Sequence, residues 1–400
     1  MSTTTRLPDS GEFALVVEAW FDGEQTHNGP TTLQVAQGRL QAIGTEALGA
    51  HLADRGVPVQ RGGFVMPGLV DAHAHLFLDG ASTDLAVRAA HLRQGVPELT
   101  EAARRSAREA LACGVTLVRD AGDRHGINNT VRDEARHTPG LPQVRSGGLG
   151  VKRPKRYGAF MAMDVADADA IRTSVQQLAT VNDEIKLILT GIIDFEAGAV
   201  TDEPQFDLES TRLAVQTARA CGRNTFAHCS GPKGLAIAAE AGVGSIEHGF
   251  FMSPEVLARM RDHQVAWTPT FCPVHAQWAR PEMAGWSTQT VGHLRRILDQ
   301  HAEQLQRADA MGVTLLLGTD AGSMGVPHGL AVFDEIDRYL EAGLSLHATL
   351  RAATANARRH FGHTHARLEV GAPWDAVWLA DSPFERLAAL RTPRQVWVAR

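Results

Sequence analysis

The sequence predicts an α/β protein: a (β/α)8 TIM barrel carrying a small β-sandwich formed by its N- and C-terminal segments. Three observations predict it. From about Phe64 onward, eight short apolar bursts with strand character alternate with longer Ala/Arg/Glu/Leu stretches at helical spacing, the pattern of parallel strands joined by crossover helices. Both chain ends instead show two-residue alternation broken by turn residues. Residue types that ligate metals fall at the ends of several bursts, where a barrel of this kind keeps its functional face.

Taken in order, Leu15-Val16-Val17, Thr32-Leu33-Gln34-Val35 and the run Gly38–Gly44 are separated by turn residues such as Asp22-Gly23, which predicts a small antiparallel unit. Strands are expected over Val65–Ala72, Gly114–Arg119, Gln143–Ser146, Ile185–Leu189, Asn224–His228, Gly244–His248, Val265–Pro269 and Thr314–Gly318. Helices are expected between them, over Pro97–Cys113, Asp167–Val181, Leu208–Cys221, Pro254–His263 and Val291–Met311. After Leu368 the alternation returns in Asp375–Leu379 and Gln395–Val398. Two β-rich ends flanking a barrel pair most simply with each other. Residues 1–64 and 366–400 are therefore assigned to the composite sandwich and 65–365 to the barrel.

At 400 residues, 44% hydrophobic and 21% charged, the chain has ample material for a sizeable core. Its 39 basic and 45 acidic residues leave a formal net charge of −6, which argues against a nucleic-acid partner, because a phosphate backbone selects a basic surface. Four cysteines, none in a CxxC pair, suit a reduced, cytoplasmic location. Met1–Glu12 contains no leader-like apolar run, and nowhere do 18 apolar residues run together, so neither a secretory leader nor a membrane partner is expected. The expected partner is a small-molecule substrate. Only four basic residues are lysine (Lys152, Lys155, Lys186 and Lys233); wherever a positive charge alone suffices, this chain uses arginine.

The strongest local signal is Met66–Leu76, in which His73 and His75 stand two residues apart at the end of an apolar strand and so point to the same side. His363 and His365 repeat the spacing but follow a helix, and are read as structural. His228 closes Thr225–His228, His248 closes Gly244–His248 and Asp320 closes Leu315–Asp320. Any one of these alone suits a hydrogen-bonded core residue. Together, three histidine-bearing strands and an aspartate on the eighth project to one face, which points to a metal site. Imidazole with carboxylate suits Zn²⁺, Fe²⁺, Mn²⁺ or Co²⁺. Lys186 sits inside the apolar burst Glu184–Leu189, where a buried ammonium is costly and a salt bridge is the plain explanation. Against that explanation, an arginine-rich chain has kept here the one base that can shed its proton. A neutral lysine between two metal ions can take up CO2 and become an anionic carbamate bridge.

MPGLVDAHAHL (66–76), IKLILTG (185–191), AHCSG (227–231), SIEHGFF (245–251) and LLLGTDAG (315–322) followed by PHG (327–329) resemble the amidohydrolase superfamily, in particular its imidazolonepropionase-like and Xaa-Pro dipeptidase-like branch. The tail VGAPWDAVWL (370–379) resembles that family's usual GxxADLVVL. The resemblance implies that His73, His75 and Asp320 hold one metal ion, that His228 and His248 hold a second, and that carbamylated Lys186 bridges them. The implied cofactors are two divalent ions, zinc foremost, and the CO2-derived carbamate. It further implies a hydroxide between the ions that attacks a carbonyl, with Asp320 passing its proton to the departing nitrogen. Asp320, His248 and Lys186 form the implied catalytic set. Arg119 and Asp120 match the family's RDxG turn and are read as structural, while His328, in PHG, is a candidate substrate residue. Relatives are commonly homo-oligomers, and that state is left open here.

Two stretches depart from the family pattern. Where many relatives have a TGGH-like loop, this chain has Gly150–Gly158. Its Lys152, Arg153, Lys155, Arg156 and Tyr157 are candidates to bind a substrate carboxylate, arginine in bidentate fashion; a solvated surface loop is the alternative. Thr190–Glu196 likewise replaces the usual TGGV-type continuation. His125 and His275 are further candidates for the mouth of the site, and Cys229, beside a ligand on the same strand, is read as packing. The expected activity is hydrolysis of an amide-type C–N bond in a dipeptide, N-acyl amino acid or cyclic amide. The alternatives are a mononuclear deaminase or cyclic-imide hydrolase, a hydrolase of carbamates, ureas or lactones, and a non-catalytic relative. Such deaminases usually carry glutamate three residues after the strand-five histidine, and that position is Gly231 here.

Overall fold

The computed structural model describes residues 11–400; the first ten residues, part of Met1–Glu12 and of the expected sandwich segment, lie outside the described residues. The first strand, β1 (Phe13–Phe21), is rich in β-branched and aromatic residues that favour a pleated surface. It pairs antiparallel with β2 (Thr26–Ala36), which pairs antiparallel with β3 (Arg39–Gly44). On its other side it runs parallel to β4 (Val59–Arg61) and β5 (Phe64–Pro67). The next nine strands are β6 (Leu69–Ala74), β7 (Val115–Asp120), β8 (Gln143–Ser146), β9 (Gly150–Lys152), β10 (Ala162–Asp164), β11 (Glu184–Ile188), β12 (Asn224–Cys229), β13 (Ser245–His248) and β14 (Ala266–Thr268). The chain then returns to the first sheet through β15 (Ala376–Leu379), antiparallel to β5, and β16 (Gln395–Trp397).

Both chain ends thus share one seven-stranded mixed sheet, ordered β16-β15-β5-β1-β2-β3 with β4 beside β1. Aromatic side chains from the two ends hold it together. Phe13 stacks on Trp397 at 5.5 Å between ring centroids, and the Trp378 indole N–H donates to Gly62 O at 3.0 Å.

The middle of the chain forms two parallel sheets, β6-β7-β8 and β10-β9-β11-β12-β13-β14. β6, β7 and β11 are buried along their whole length, as expected of parallel strands covered on both faces. Helices intervene, among them Val96–Ala112, Ile127–Ala135, Ala168–Ala179, Leu208–Ala220 and Pro254–Asp262. Asp167, Asp207 and Ser253 cap three helix N-termini by accepting backbone N–H bonds. No helix among the described residues is long and apolar enough to cross a membrane.

The expected strand Thr314–Gly318 is not regular. Its Leu316 N–H donates to Trp267 O in β14, and its carbonyl at Leu317 accepts from Ala72 N–H in β6, both at 2.8 Å. The Leu317 N–H turns away to Ala352 O, so the segment joins the two sheets without a continuous ladder. The basic stretch read as a loop begins in a short strand, β9, and is followed by β10, which lies parallel to β9.

The terminal sheet and the parallel sheets meet at Gly68. Here Asp375 accepts bonds from Thr116 and, at 2.8 Å, from Arg358, and a Cβ on Gly68 would lie 2.0 Å from Thr116 Oγ1 and 2.5 Å from Asp375 Oδ1. Gly68→Ala is therefore expected to destabilise the protein by about 1–3 kcal/mol through overpacking. Gly292→Ala, in helix Thr288–Met311 with open space around it, is expected to stabilise by up to about 1 kcal/mol. Urea unfolding midpoints of the two variants check both signs.

Candidate functional site

Alternation along β6, continued one residue past its end, places Asp71, His73 and His75 on one side. His73 Nδ1 lies 2.6 Å from Glu247 Oε2, and His75 Nδ1 lies 3.1 Å from Gly122 O. The other nitrogen of each ring, Nε2, stands 3.7 Å from the same oxygen, Asp320 Oδ1, and ligand atoms of these three residues all lie within 4.8 Å of one another. His248 Nδ1 pairs with Thr270 Oγ1 at 2.8 Å. The His248 ring lies 4.6 Å from the ring of His228 and 5.0 Å from that of His73. The structure thus brings together His73, His75, His228, His248 and Asp320 from β6, β12, β13 and the segment that follows Thr314.

The imidazoles are held neutral. Burial, with Lys186 and neighbouring rings adding to it, keeps His73 and His75 well below the usual range and draws His228 down to about 3. His73 Nε2 and His228 Nε2 are buried and have no hydrogen-bond partner, and buried polar atoms are rarely left so. Neutral imidazoles with Nδ1 engaged by the fold and Nε2 free beside a carboxylate fit a divalent metal ion.

Lys186, 1% exposed, stands over the Phe226 ring at 5.9 Å. Burial lowers its amine to about 8, against the opposing pull of Asp320, Glu247 and Asp120. Burial likewise raises Asp320 to about 7, with Lys186 opposing. The Asp320 carboxylate is oriented by Ser323 Oγ, which donates to Oδ2 at 3.0 Å.

Three of these residues have left-handed backbone: His248 (φ 67°), Thr270 (φ 51°) and Asp320 (φ 54°), a region costly for residues with a Cβ. At His248 it has a clear use. Strict alternation sends Glu247 and His248 to opposite faces of β13, yet Glu247 supports His73 from below while His248 lines the cavity.

Sequence reasoning missed Glu247 and Asp71. Glu247 pairs with the Arg119 guanidinium at 2.7 Å as well as with His73, so the Arg119–Glu247–His73 chain sets the His73 ring. Asp71 accepts from Thr319 N–H at 3.0 Å, Thr319 Oγ1 at 2.6 Å and His73 N–H at 3.2 Å, fixing the approach of Asp320 to β6. Both acids lie two residues from a histidine or a serine on the inward face of a strand, and that spacing was the available signal. Arg119, read as structural, is fully buried.

The site opens into a cavity of about 240 Å³ whose lining includes His75, Lys186, His228, His248 and Asp320. Tyr157 also lines it, its ring 5.3 Å from that of His228. The other substrate candidates lie elsewhere. Lys155 is exposed and outside the lining. The Arg156 guanidinium donates to Glu203 O, Lys152 pairs with Asp164, and Arg153 donates to Val165 O, Ala166 O and Ser210 Oγ. His125 is exposed, His328 pairs with Leu78 O at 3.1 Å, and His275 lies against Arg338. Cys229 is buried, close to where a Cβ on Gly234 would lie. His365 pairs with Glu369 at 2.9 Å. A larger hollow of about 680 Å³, bordered by Ala266, Thr314 and His360, lies away from the imidazole cluster.

Fold and site together define a hydrolase of the α/β class. The sequence profile of the amidohydrolase family matches residues 64–399, and the chain belongs to that family, whose members generally use divalent metals and hydrolyse C–N bonds. An uncharacterised protein of Mycobacterium tuberculosis is 29% identical over 335 residues, 83% of either chain. Ochratoxinase of Aspergillus niger is 26% identical over 415 residues, covering 94% of this chain and 82% of its own. Its crystal structure superposes with a TM-score of 0.80 at 21% identity, covering 97% of this chain and 94% of the other. A Xaa-Pro dipeptidase with methionine bound in its active site gives 0.80 at 20% identity, covering 96% and 97%.

Glu247→Gln removes the counter-charge of Arg119 and the anionic partner of His73. If the cluster holds a divalent ion, the variant is expected to bind it about 10–100-fold more weakly, measured by chelator competition with added divalent metal, and it is expected to lower stability by about 3 kcal/mol in urea unfolding.

Proposed function

We propose that this protein is a binuclear metal-dependent amidohydrolase that cleaves an amide-type C–N bond in a small molecule such as a dipeptide, N-acyl amino acid or cyclic amide. It acts in the cytoplasm. The reading takes the two parallel sheets as arcs of one (β/α)8 barrel, residues 65–365, with residues 1–64 and 366–400 forming a β-sandwich. The observation that carries it is the convergence of four imidazoles, Lys186 and Asp320 in one cluster, all but His73 lining a single cavity.

His73, His75 and Asp320 would hold one ion, His228 and His248 another, with Lys186 as a carbamate between them. When bound, the ions supply Lewis-acid activation of water and of the substrate carbonyl. Asp320, with one oxygen beside both Nε2 atoms and the other fixed by Ser323, is placed to take a proton and return it to the departing nitrogen. Tyr157 closes one side of the space beside His228. Glu247 and Gly122 O hold His73 and His75 in the tautomer that leaves Nε2 free to ligate. The Xaa-Pro dipeptidase among the structural neighbours supports a peptide-like scissile bond.

One observation favours a second reading. The tightest cluster contains only His73, His75 and Asp320, enough for a mononuclear deaminase or cyclic-imide hydrolase. Metal analysis separates the two. Close to two metal equivalents per chain is expected, and one equivalent with unmodified Lys186 would overturn the binuclear reading. Lys186→Ala is expected to lower kcat/KM by at least about 10²-fold, with partial recovery on adding a short carboxylic acid. Full activity of that variant without additive would show that the amine has no bridging role.

A further inference from the structure

We infer that the cavity above the imidazole cluster is built for an uncharged, single-ring aromatic part of the substrate, and that above its floor it holds no cationic anchor for a substrate carboxylate. The inference rests on the amidohydrolase reading and narrows it.

The side walls facing the polar floor are apolar, with Met161, Ile192, Ile193, Phe195, Phe250 and Val274 among their lining residues. An apolar cavity of about 150 Å³ is enough for benzene. At about 240 Å³, this one takes one ring and leaves room for the amide beside it. Apolar surface continues to the rim, where Ile192 is 60% and Phe160 37% exposed. Exposed large apolar side chains at the edge of a cleft mark a site that desolvates its ligand on entry.

The charges point the same way. Among the described residues, no arginine, and no lysine except Lys186 on the floor, lines the cavity. The basic residues that a carboxylate would seek are committed elsewhere. Lys152 is buried against Asp164, the Arg153 guanidinium is spent on backbone oxygens and Ser210, and that of Arg156 on Glu203 O. The exposed Arg124 is joined to the rim only through its backbone, donating N–H to Phe160 O at 3.1 Å, and does not line the cavity. A carboxylate carried into these walls would lose its hydration and meet no cation there, only hydroxyl groups such as that of Tyr157, which is unfavourable. A neutral ring gains by the same transfer.

Two measurements on the metal-loaded full-length protein test this. The first is calorimetric binding of 1-phenylpropan-2-one and propan-2-one, ketones that differ only in the ring and have no scissile C–N bond. The ring is expected to tighten binding at least about 10-fold. The gain should fall at least about 3-fold in Ile192→Ser and, separately, in Phe160→Ser, rim positions exposed enough to leave folding intact. Equal affinity for the two ketones, or a gain unchanged in both variants, overturns the inference. The second measurement compares kcat/KM for N-phenylacetylglycinamide, N-acetylglycinamide and N-phenylacetylglycine. The ring-bearing neutral amide is expected to exceed the acetyl amide at least 10-fold and to be cleaved no more slowly than the free acid. A free acid preferred 10-fold or more overturns the inference. Ring-dependent ketone binding with no cleavage of any of the three amides supports the ring pocket and counts against the amidohydrolase reading instead.

Discussion

The guanidinium of Arg119 ties the two parallel sheets together beneath the site. From β7 it donates to Ala72 O in β6 at 2.6 Å, to Ser245 Oγ at 3.1 Å and to Glu247 at 2.7 Å in β13, and it approaches Glu184 in β11 at 3.8 Å. Its faces lie over Phe226 and Phe361 at 4.6 and 5.3 Å. A buried ion pair of this kind adds little net stability over a well-packed apolar alternative, but losing one partner leaves an uncompensated charge in the interior. What it provides here is position. Because the same carboxylate that neutralises Arg119 also holds His73 Nδ1, the orientation of a proposed metal ligand is fixed by the packing of strands on both sheets.

Desolvation dominates the chemistry of the cluster. The buried imidazoles, the Lys186 amine and the Asp320 carboxyl are all pushed toward their neutral forms by burial, and the same lack of water makes any divalent cation placed among them a strong partner. The apolar walls extend this environment outward to the rim, so the polar floor is the one part of the cavity that offers charge to a ligand.

Much of this was legible in the sequence because strand alternation and strand ends carry it. His73 and His75 are two residues apart on one strand, and His228, His248 and Asp320 each close an apolar burst; the structure places all five together. Glu247 was hidden because alternation assigns it the face opposite His248, and only the left-handed φ at His248 lets both side chains serve one centre. The segment after Thr314 reads as a strand by its Leu315-Leu316-Leu317 run, but one of its amides is drawn to Ala352, a long-range contact that no local pattern reveals. The basic run Lys152–Arg156 looked like a ligand-binding loop because charge is visible in a sequence and its partners are not. Asp164, Glu203, Val165 and Ser210 lie up to 57 positions away along the chain.

The left-handed residues at His248, Thr270 and Asp320 set a limit on how this enzyme can change. Each position holds a side chain that the site uses on a backbone conformation that glycine adopts freely and other residues adopt at a cost of about 1 kcal/mol or more. Random substitution toward glycine there relieves backbone strain while deleting a function, so selection for thermal robustness alone would erode the site from within its own framework. Any variant of this chain evolved for stability therefore has to gain it from the helices and the terminal sheet, where backbone comfort and chemistry are not held by the same residue.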